Sequence, residues 1–329
     1  MEQPDPPMSQ FDTDGLYERE LNMPHIYYLP DEKEVVVDVT QTILQASLQA
    51  DIPHAHACGG NARCSTCRVV VLEGLQACAP RNAKEQALAE RFHFSPTIRL
   101  ACQTTVTDDV KLRRPVVDEV DMTLISQATT GTPNRAGEEK QIAILFADIS
   151  QYTPFAEALP PYDIIHVLNR YFYLMGQAIR LNSGTISDYV GDGLMALFGV
   201  DDSTHPALRA VKAGLEMFKA VEKLNPYLET MYDRRFQIRI GIHFGEVVVG
   251  TIGIASMKKV AAIGDAVNFA SRIETANKEA GTSFLISEDT YAQVRGKVYV
   301  DRCVRLPLKG KSGEHALYEV TGLREMPPT

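Results

Sequence analysis

The sequence lacks any long apolar run, and it lacks a surplus of basic charge. No stretch approaches the roughly 20 apolar residues of a membrane-spanning helix, so no membrane span is expected. The opening "MEQPDPPMSQFDTDG" has neither a basic start nor an apolar segment, so it does not read as a secretory leader. Lysine and arginine total 33 against 42 acidic residues, for a net charge of -9. No basic surface therefore invites nucleic acid. No internal repeat interrupts the chain. Cysteine is scarce, at six residues, yet Cys58, Cys64 and Cys67 crowd into one short segment. The missing leader and span point to the cytoplasm, where such crowding suggests metal ligation rather than disulfides.

What is present is an ordinary globular balance, 45% hydrophobic and 23% charged. The 329 residues suffice for two domains, each with its own core. We expect a disordered tail over 1–23, a first domain over 24–113, a linker over 114–139 and a second domain over 140–325. "TTGTPNRAGEEK" supplies the linker chemistry. In the first domain "HIYYLP" and "EVVVDVT" read as a hairpin and "QTILQASLQAD" as a helix. "CRVVVLEG" and "TIRLACQTTVTDDVKL" read as strands, with a short helix "NAKEQALAERF" between them.

In the second domain "QIAILFADIS" is a buried strand. "PPYDIIHVLNRYFYLMGQAIRLNSG" is a helix closed by Gly184, and "ISDYVGDGLMALFG" is a hairpin. A second helix should start at Pro206 with Ser203 or Thr204 as its cap. Its stripe should be Leu208, Val211, Leu215, Phe218 and Val221. "QIRIGIHFGEVVVGTIG" reads as two strands turning near Gly245, and "NFASRIETANKEAG" as a helix closed by Gly281. The order is the split βαββαβ, ferredoxin-like pattern with extra strands, giving an α+β chain.

Cys58, Cys64 and Cys67 have the spacing C-x5-C-x2-C, and Cys102 follows at a distance. Four thiolates suit a [2Fe–2S] cluster, whereas structural zinc favours two short C-x2-C knuckles and only one is present. "CGGNARCSTCRVVVLEG" with "RLACQT" resembles a [2Fe–2S] ferredoxin of the adrenodoxin or bacterial type. That resemblance implies a β-grasp-like domain with Cys58, Cys64, Cys67 and Cys102 as cluster ligands. Cys78 and Cys303 match nothing in it and read as buried thiols.

Asp148 ends the apolar strand "AILFAD", and Asp192 stands in the turn "GDG". An isolated buried carboxylate is costly, so two acids at strand ends suggest a shared site. Two carboxylates with the carbonyl of Ile149 make a hard oxygen set suited to Mg²⁺. Sites of that kind serve phosphoryl and nucleotidyl transfer. "ISQYTPF", with Thr153, leads into a helix whose first N–H groups could hold a triphosphate. Asn268 and Arg272 share a helix face at i and i+4.

"FADIS", "YVGDGLMALFG", "RIGIHFGEVVVGTIG" and "IGDAVNFASRIE" together resemble a class III adenylate/guanylate cyclase catalytic domain. The resemblance implies that a nucleoside triphosphate is converted to a 3′,5′-cyclic nucleotide and pyrophosphate. It implies that Asp148, Ile149 and Asp192 hold two Mg²⁺ or Mn²⁺. Asn268 would position the ribose and Arg272 the phosphates, both donated by the second subunit of a head-to-tail homodimer.

The resemblance also marks two base-reading positions, and this chain departs from the adenine pattern at both. Asp188 stands where adenylate cyclases usually carry lysine, and Ala261 where they usually carry Asp or Thr. A carboxylate only accepts hydrogen bonds, and guanine offers adjacent N–H donors, so a guanylate or relaxed-specificity cyclase is one alternative. Lys258 or Lys259 offers another way to read adenine. Single-domain members of this kind mostly make cyclic AMP, so ATP is the expected substrate. A redox cluster fused to such an enzyme suggests a sensor, with a reductase as a possible partner. The remaining alternative is an electron-transfer ferredoxin whose second domain binds nucleotide without turning it over and serves dimerisation.

Overall fold

The computed structural model describes residues 23–115, 137–252 and 259–324. The expected tail up to residue 22 and most of the expected linker lie outside the described residues. The chain divides into two compact units between Ala136 and Gly137.

In the first unit β1 (His25–Leu29) and β2 (Lys33–Val36) form the expected hairpin. Helix α1 (Ile43–Gln49) starts at Thr42, whose side chain accepts from the Gln45 N–H while Gln45 reaches back to the Thr42 N–H. This reciprocal cap satisfies two donors that a short helix would otherwise expose. Strand β3 (Arg68–Glu73), helix α2 (Ala83–Arg91), β4 (Ile98–Leu100) and β5 (Val110–Arg113) complete a mixed sheet ordered β2-β1-β5-β3-β4. β1 and β5 run parallel at its centre. Ile26, Tyr28, Ile43, Val69, Leu100 and Leu112 fill the core beneath it.

The stretch read as one strand, "TIRLACQTTVTDDVKL", is two strands joined by a turn. Strand β4 stops at Leu100 because the chain must bring Cys102 beside Cys67. Arg68 pairs with Leu100, and the Ala101 N–H donates to the Cys67 carbonyl at 3.1 Å. Glu85 of α2 fastens this corner. It accepts from Arg99 Nε, Arg99 Nη2 and the Leu100 N–H at 2.8–2.9 Å. Both side chains are buried, so losing one partner would strand a charge and cost about 3–5 kcal/mol.

The second unit is built on an eight-stranded sheet. Its strands are β6 (Glu138–Ile149), β7 (Gly184–Val190), β8 (Gly193–Phe198) and β9 (Ile238–Ile252). The rest are β10 (Lys259–Ile263), β11 (Phe284–Ser287), β12 (Val298–Pro307) and β13 (Glu314–Leu323). The order is β12-β13-β11-β9-β6-β8-β7, with β10 paired to β9 alone. The helices are α3 (Tyr152–Ala158), α4 (Pro161–Leu181), α5 (Pro206–Tyr232), α6 (Asp265–Ala280) and α7 (Glu288–Val294).

Alternation along β6 sorts the two faces. Ala143, Leu145, Ala147 and Ile149 join the core shared with α4 and α5. Ile142 and Ile144 face the opposite cluster, built with Ala266 and Ala270 of α6. Asp148 has the parity of that second face. This is the α+β arrangement expected from the order of elements.

Three local expectations change. Helix α4 stops at Leu181, not at Gly184, and the left-handed residue is Ser183 (φ 54). Gly184 opens β7, where a Cβ would lie 2.4 Å from the Phe198 ring. Helix α5 starts at Pro206 as expected, but its cap is left-handed His205, with no side-chain bond from Ser203 or Thr204. It continues through Pro226, and its buried side is Ala210, Val211, Met217, Val221, Leu224 and Leu228, one step round from the expected stripe.

The third change concerns β9, which is one strand and not two. It passes straight through Gly245, which pairs with Ile142. Glycine is needed there for closeness, since a Cβ would meet His243 Nε2 at 2.8 Å and the Ala266 Cβ at 3.0 Å. Gly241 is tighter still, because a Cβ would sit 2.1 Å from the Glu274 nitrogen. Helix α6 therefore lies backbone to backbone on β9.

Candidate active site and cysteine cluster

The acid pair is assembled by strand register. Ala147 pairs with Leu194, which sets Asp148 opposite Gly193 and next to Asp192. Strands β7 and β8 are joined by the two-residue turn Gly191-Asp192, with positive φ only at Gly191 (64°). Glycine at the first turn position suits such a hairpin. A Cβ on Gly193 would stand 3.2 Å from Asp148 Oδ1, so the residue after the turn must be small.

The two carboxyl groups hydrogen-bond to each other. Burial, then this bond and the Asp148 charge, push Asp192 up to about 6, while its own N–H and that of Ile149 pull it down. Two carboxyls this close cannot both ionise freely without a cation. Their oxygens fit a hard divalent ion, and the Ile149 backbone lies beside them. Among the described residues no third His, Cys, Asp or Glu completes an ion site here, which leaves coordination positions for the oxygens of a ligand.

Two neighbours were not singled out from the sequence. Arg239 of β9 pairs across with Asp148, and its Nη2 lies 4.0 Å from Asp148 Oδ2. Its Nε is buried without a hydrogen-bond partner, with Glu274 Oε1 at 3.6 Å. Burial and the Asp148 charge raise Glu274 to about 7, against the pull of Arg239. The available signal was a lone cation in "IRIGI", at the strand position that faces the acid. The sequence pattern drew attention to Arg272 instead.

Asn268 and Arg272 lie on α6 away from its buried residues Ala266, Ala270, Ile273 and Ala276. Asn268 is exposed and Arg272 half-buried. The guanidinium beside Asp148 is that of Arg239, not that of Arg272. Thr153 is exposed in α3, whose seven residues are preceded by left-handed Gln151 with no side-chain cap. Ala261 is buried on β10. Asp188 of β7 accepts a hydrogen bond from Lys259 Nζ at 2.6 Å. Lys258 lies outside the described residues.

In the first unit the four cysteines form two hydrogen-bonded pairs, Cys58 with Cys64 and Cys67 with Cys102. Among the described residues no three His, Cys, Asp or Glu side chains close around a single ion. Two pairs suit a two-iron unit, with a pair for each iron, better than one tetrahedral zinc. The surroundings favour the thiolate at Cys102 and Cys58, whereas the bond to Cys102 and burial push the Cys67 thiol up. The bond from Cys67 holds Cys102 at about 6 against burial, helped by the Gln103 side chain and the Ala62 N–H. Burial works to raise Cys58, but the Arg63 N–H, the Cys64 side chain and the N–H groups of Asn61 and Cys64 together lower it. Thr66 Oγ1 lies 3.1 Å from Cys64 Sγ. Cys78 is buried, as expected. Cys303 is exposed, contrary to expectation, because it lies on β12 at the edge of the sheet.

Comparison with known proteins fits both halves. Residues 26–107 match the 2Fe-2S iron-sulfur cluster binding domain family. An adenylate cyclase of Anabaena cylindrica is 38% identical over 194 residues, which are 56% of this chain and 38% of that protein. Adenylate cyclase 1 of Rhizobium meliloti is 32% identical, over 57% of this chain and 29% of its own length. The chain thus spans well under half of these relatives. Among solved structures, the guanylyl cyclase Cya2 superposes with a TM-score of 0.54 at 34% identity, covering 57% of this chain and 95% of Cya2. The adenylyl cyclase CyaB of P. aeruginosa gives 0.53 at 29% identity, covering 57% and 96%. No helix among the described residues is long and apolar enough to cross a membrane. Residues 135–322, more than half of the chain, match the adenylate and guanylate cyclase catalytic domain family, and the chain belongs to it.

Proposed function

We propose that this chain converts ATP to 3′,5′-cyclic AMP and pyrophosphate. The observation that carries the reading is the convergence of Asp148 and Asp192 across β6 and β8, with Arg239 beside them. Asp148, Asp192 and the Ile149 carbonyl would hold two Mg²⁺ or Mn²⁺. Those ions supply charge neutralisation at phosphate oxygens and an acidified 3′-hydroxyl. Arg239 brings a positive charge beside Asp148 for the triphosphate tail, and α3, with Thr153 in its first turn, lies next along the chain.

Asn268 and Arg272 act on the substrate held by a second copy, Asn268 on the ribose and Arg272 on the charge that builds on the phosphates. A monomer is then inactive, and the working form is a homodimer with two shared sites. Exposed Tyr189 and Val190 on the hairpin, with Val248, Ile252, Val260 and Ile263 on the β9–β10 ribbon, offer apolar area for that contact. The expected test result is pyrophosphate release with Mn²⁺ that is faster with ATP than with GTP, CTP or UTP. No release with any of the four would sink the enzymatic reading. A guanylate cyclase is the second reading, favoured by the Asp188 carboxylate.

The N-terminal unit holds a [2Fe–2S] cluster on Cys58, Cys64, Cys67 and Cys102, and its redox state sets the cyclase rate. Adding one electron changes charge more than shape, so control works through an interface balanced between two arrangements. Cyclase rates with the cluster oxidised, reduced and removed should differ. Three equal rates would rule this control out. The setting is the cytoplasm, where thiolates persist and a reductase can reach the cluster.

A further inference from the structure

A buried charge sits where the chain leaves the first unit. Arg114 directly follows β5, and its side chain is 2% exposed. Its guanidinium holds three segments together. Nε donates to Asp31 Oδ2 at 2.8 Å and Nη2 donates to Asp31 Oδ1, in the turn between β1 and β2. Nη1 donates to the carbonyl of Pro53, on the loop that runs from α1 to Cys58. The Arg114 N–H donates to the Leu29 carbonyl at 2.8 Å. Asp31 takes one side of the guanidinium, so the end turned to the loop is the positive one. On that loop His54 is buried, with Nδ1 2.9 Å from Ser47 Oγ and Nε2 without a partner. Burial, then the Arg114 charge, push His54 down to about 4, against the pull of the Cys67 backbone. The field of Arg114 thus reaches a dry region that adjoins Cys67. Against well-packed apolar residues a buried pair of this kind adds little stability, which leaves its charge to be explained.

We infer that Arg114 tunes the cluster and is the residue through which the cluster's charge reaches the exit of the first unit. This rests on the reading that Cys58, Cys64, Cys67 and Cys102 hold a [2Fe–2S] cluster whose redox state sets the cyclase rate. One electron from a reductase, or from dithionite, turns one Fe(III) into Fe(II) and adds one negative charge. No bond forms or breaks. A guanidinium acting through a dry interior favours that added charge. The coupling is reciprocal. Whatever factor the seated guanidinium contributes to reduction, reduction contributes to its seating. Reduction tightens the hold on Arg114 and oxidation loosens it, at the residue from which the chain runs on.

The test uses the full chain with its cluster and reads the midpoint potential by dithionite titration. Arg114→Met should favour the oxidised cluster about tenfold, which lowers the potential by about 59 mV for one electron. Asp31→Asn breaks the same pair and should raise the potential, because it removes a negative charge and leaves the guanidinium. A merely structural clamp would move both potentials the same way. Amide exchange across β5 and Arg114 should be slower in the reduced wild type than in the oxidised, and indifferent to redox state in Arg114→Met. If Arg114→Met does not keep its cluster, Asp31→Asn decides alone. An unmoved potential in Arg114→Met, a lower potential in Asp31→Asn, or wild-type exchange indifferent to redox state overturns the inference. Equal cyclase rates in oxidised and reduced wild type, with the two potentials split as expected, overturn the redox-control reading and leave Arg114 as the tuning residue.

Discussion

Asp192→Asn should lower cyclic nucleotide formation by about a thousandfold, the scale of losing a metal-bearing carboxylate. The fold should not suffer, because the substitution removes a burden. Asp192 is pushed up to about 6 from an ordinary 3.8 by burial and by Asp148. An acid whose pKa is higher folded than unfolded favours the folded state while it is protonated. That advantage is complete below 3.8 and is lost as pH climbs through about 6. In chelator, the wild type should therefore lose more melting temperature than Asp192→Asn between pH 4 and pH 7. Glu274, raised to about 7 by burial with the Asp192 charge among the further causes, adds a slope in the same direction that shrinks in the variant, so the difference between the two proteins reads the loss of Asp192 from the whole acid cluster. Mn²⁺ at neutral pH should raise the wild-type midpoint and leave that of the variant nearly unmoved. Calorimetry with and without Mn²⁺ checks this. Equal midpoint shifts in both proteins would show that the two acids hold no metal together.

Mixing two dead variants should bring back activity. On the proposed shared-site reading, Asp148→Asn would spoil the metal side of a site, and Arg272→Ala the side offered by the second copy. Each alone should be almost inactive. In an equimolar mixture about half of the dimers combine one copy of each, and each such dimer keeps one intact site of two. Recovered activity should approach about a quarter of wild type. A mixture as dead as its components would mean that Arg272 serves the acids of its own chain or has no part in the reaction. The geometry within one chain agrees with sharing, because the guanidinium next to Asp148 belongs to Arg239.

Much of this was legible from residue types. The apolar run in "AILFAD" located β6 and put Asp148 at its end, while the face that Asp148 takes came with the packing of α6. The spacing of three cysteines, with a fourth after "RLA", marked the N-terminal site before any fold was known. What could not be read were effects that depend on a distant neighbour. Gly245 looks like a turn because the sequence does not show His243 and Ala266 crowding its backbone. Gly184 looks like a helix stop because the ring of Phe198 is invisible from position 184. His205 caps α5 in place of Ser203 or Thr204, a choice made by backbone shape rather than by side-chain chemistry. Arg239 escaped notice because its meaning comes from pairing with Asp148, 91 positions earlier. Lys259 was one of two candidates until the β7 bulge and the ribbon brought it to Asp188.

Gly241 leaves no slack between strand β9 and helix α6, whose peptide planes meet without side chains between them. Such a joint can neither slide nor tilt by small steps, since any shift drives atoms into overlap. Arg239 and Glu274, on opposite sides of that joint, are therefore welded into one frame with Asn268 and Arg272. On the proposed dimeric reading, a regulatory signal would swing this frame as a single piece by changing the angle between two copies.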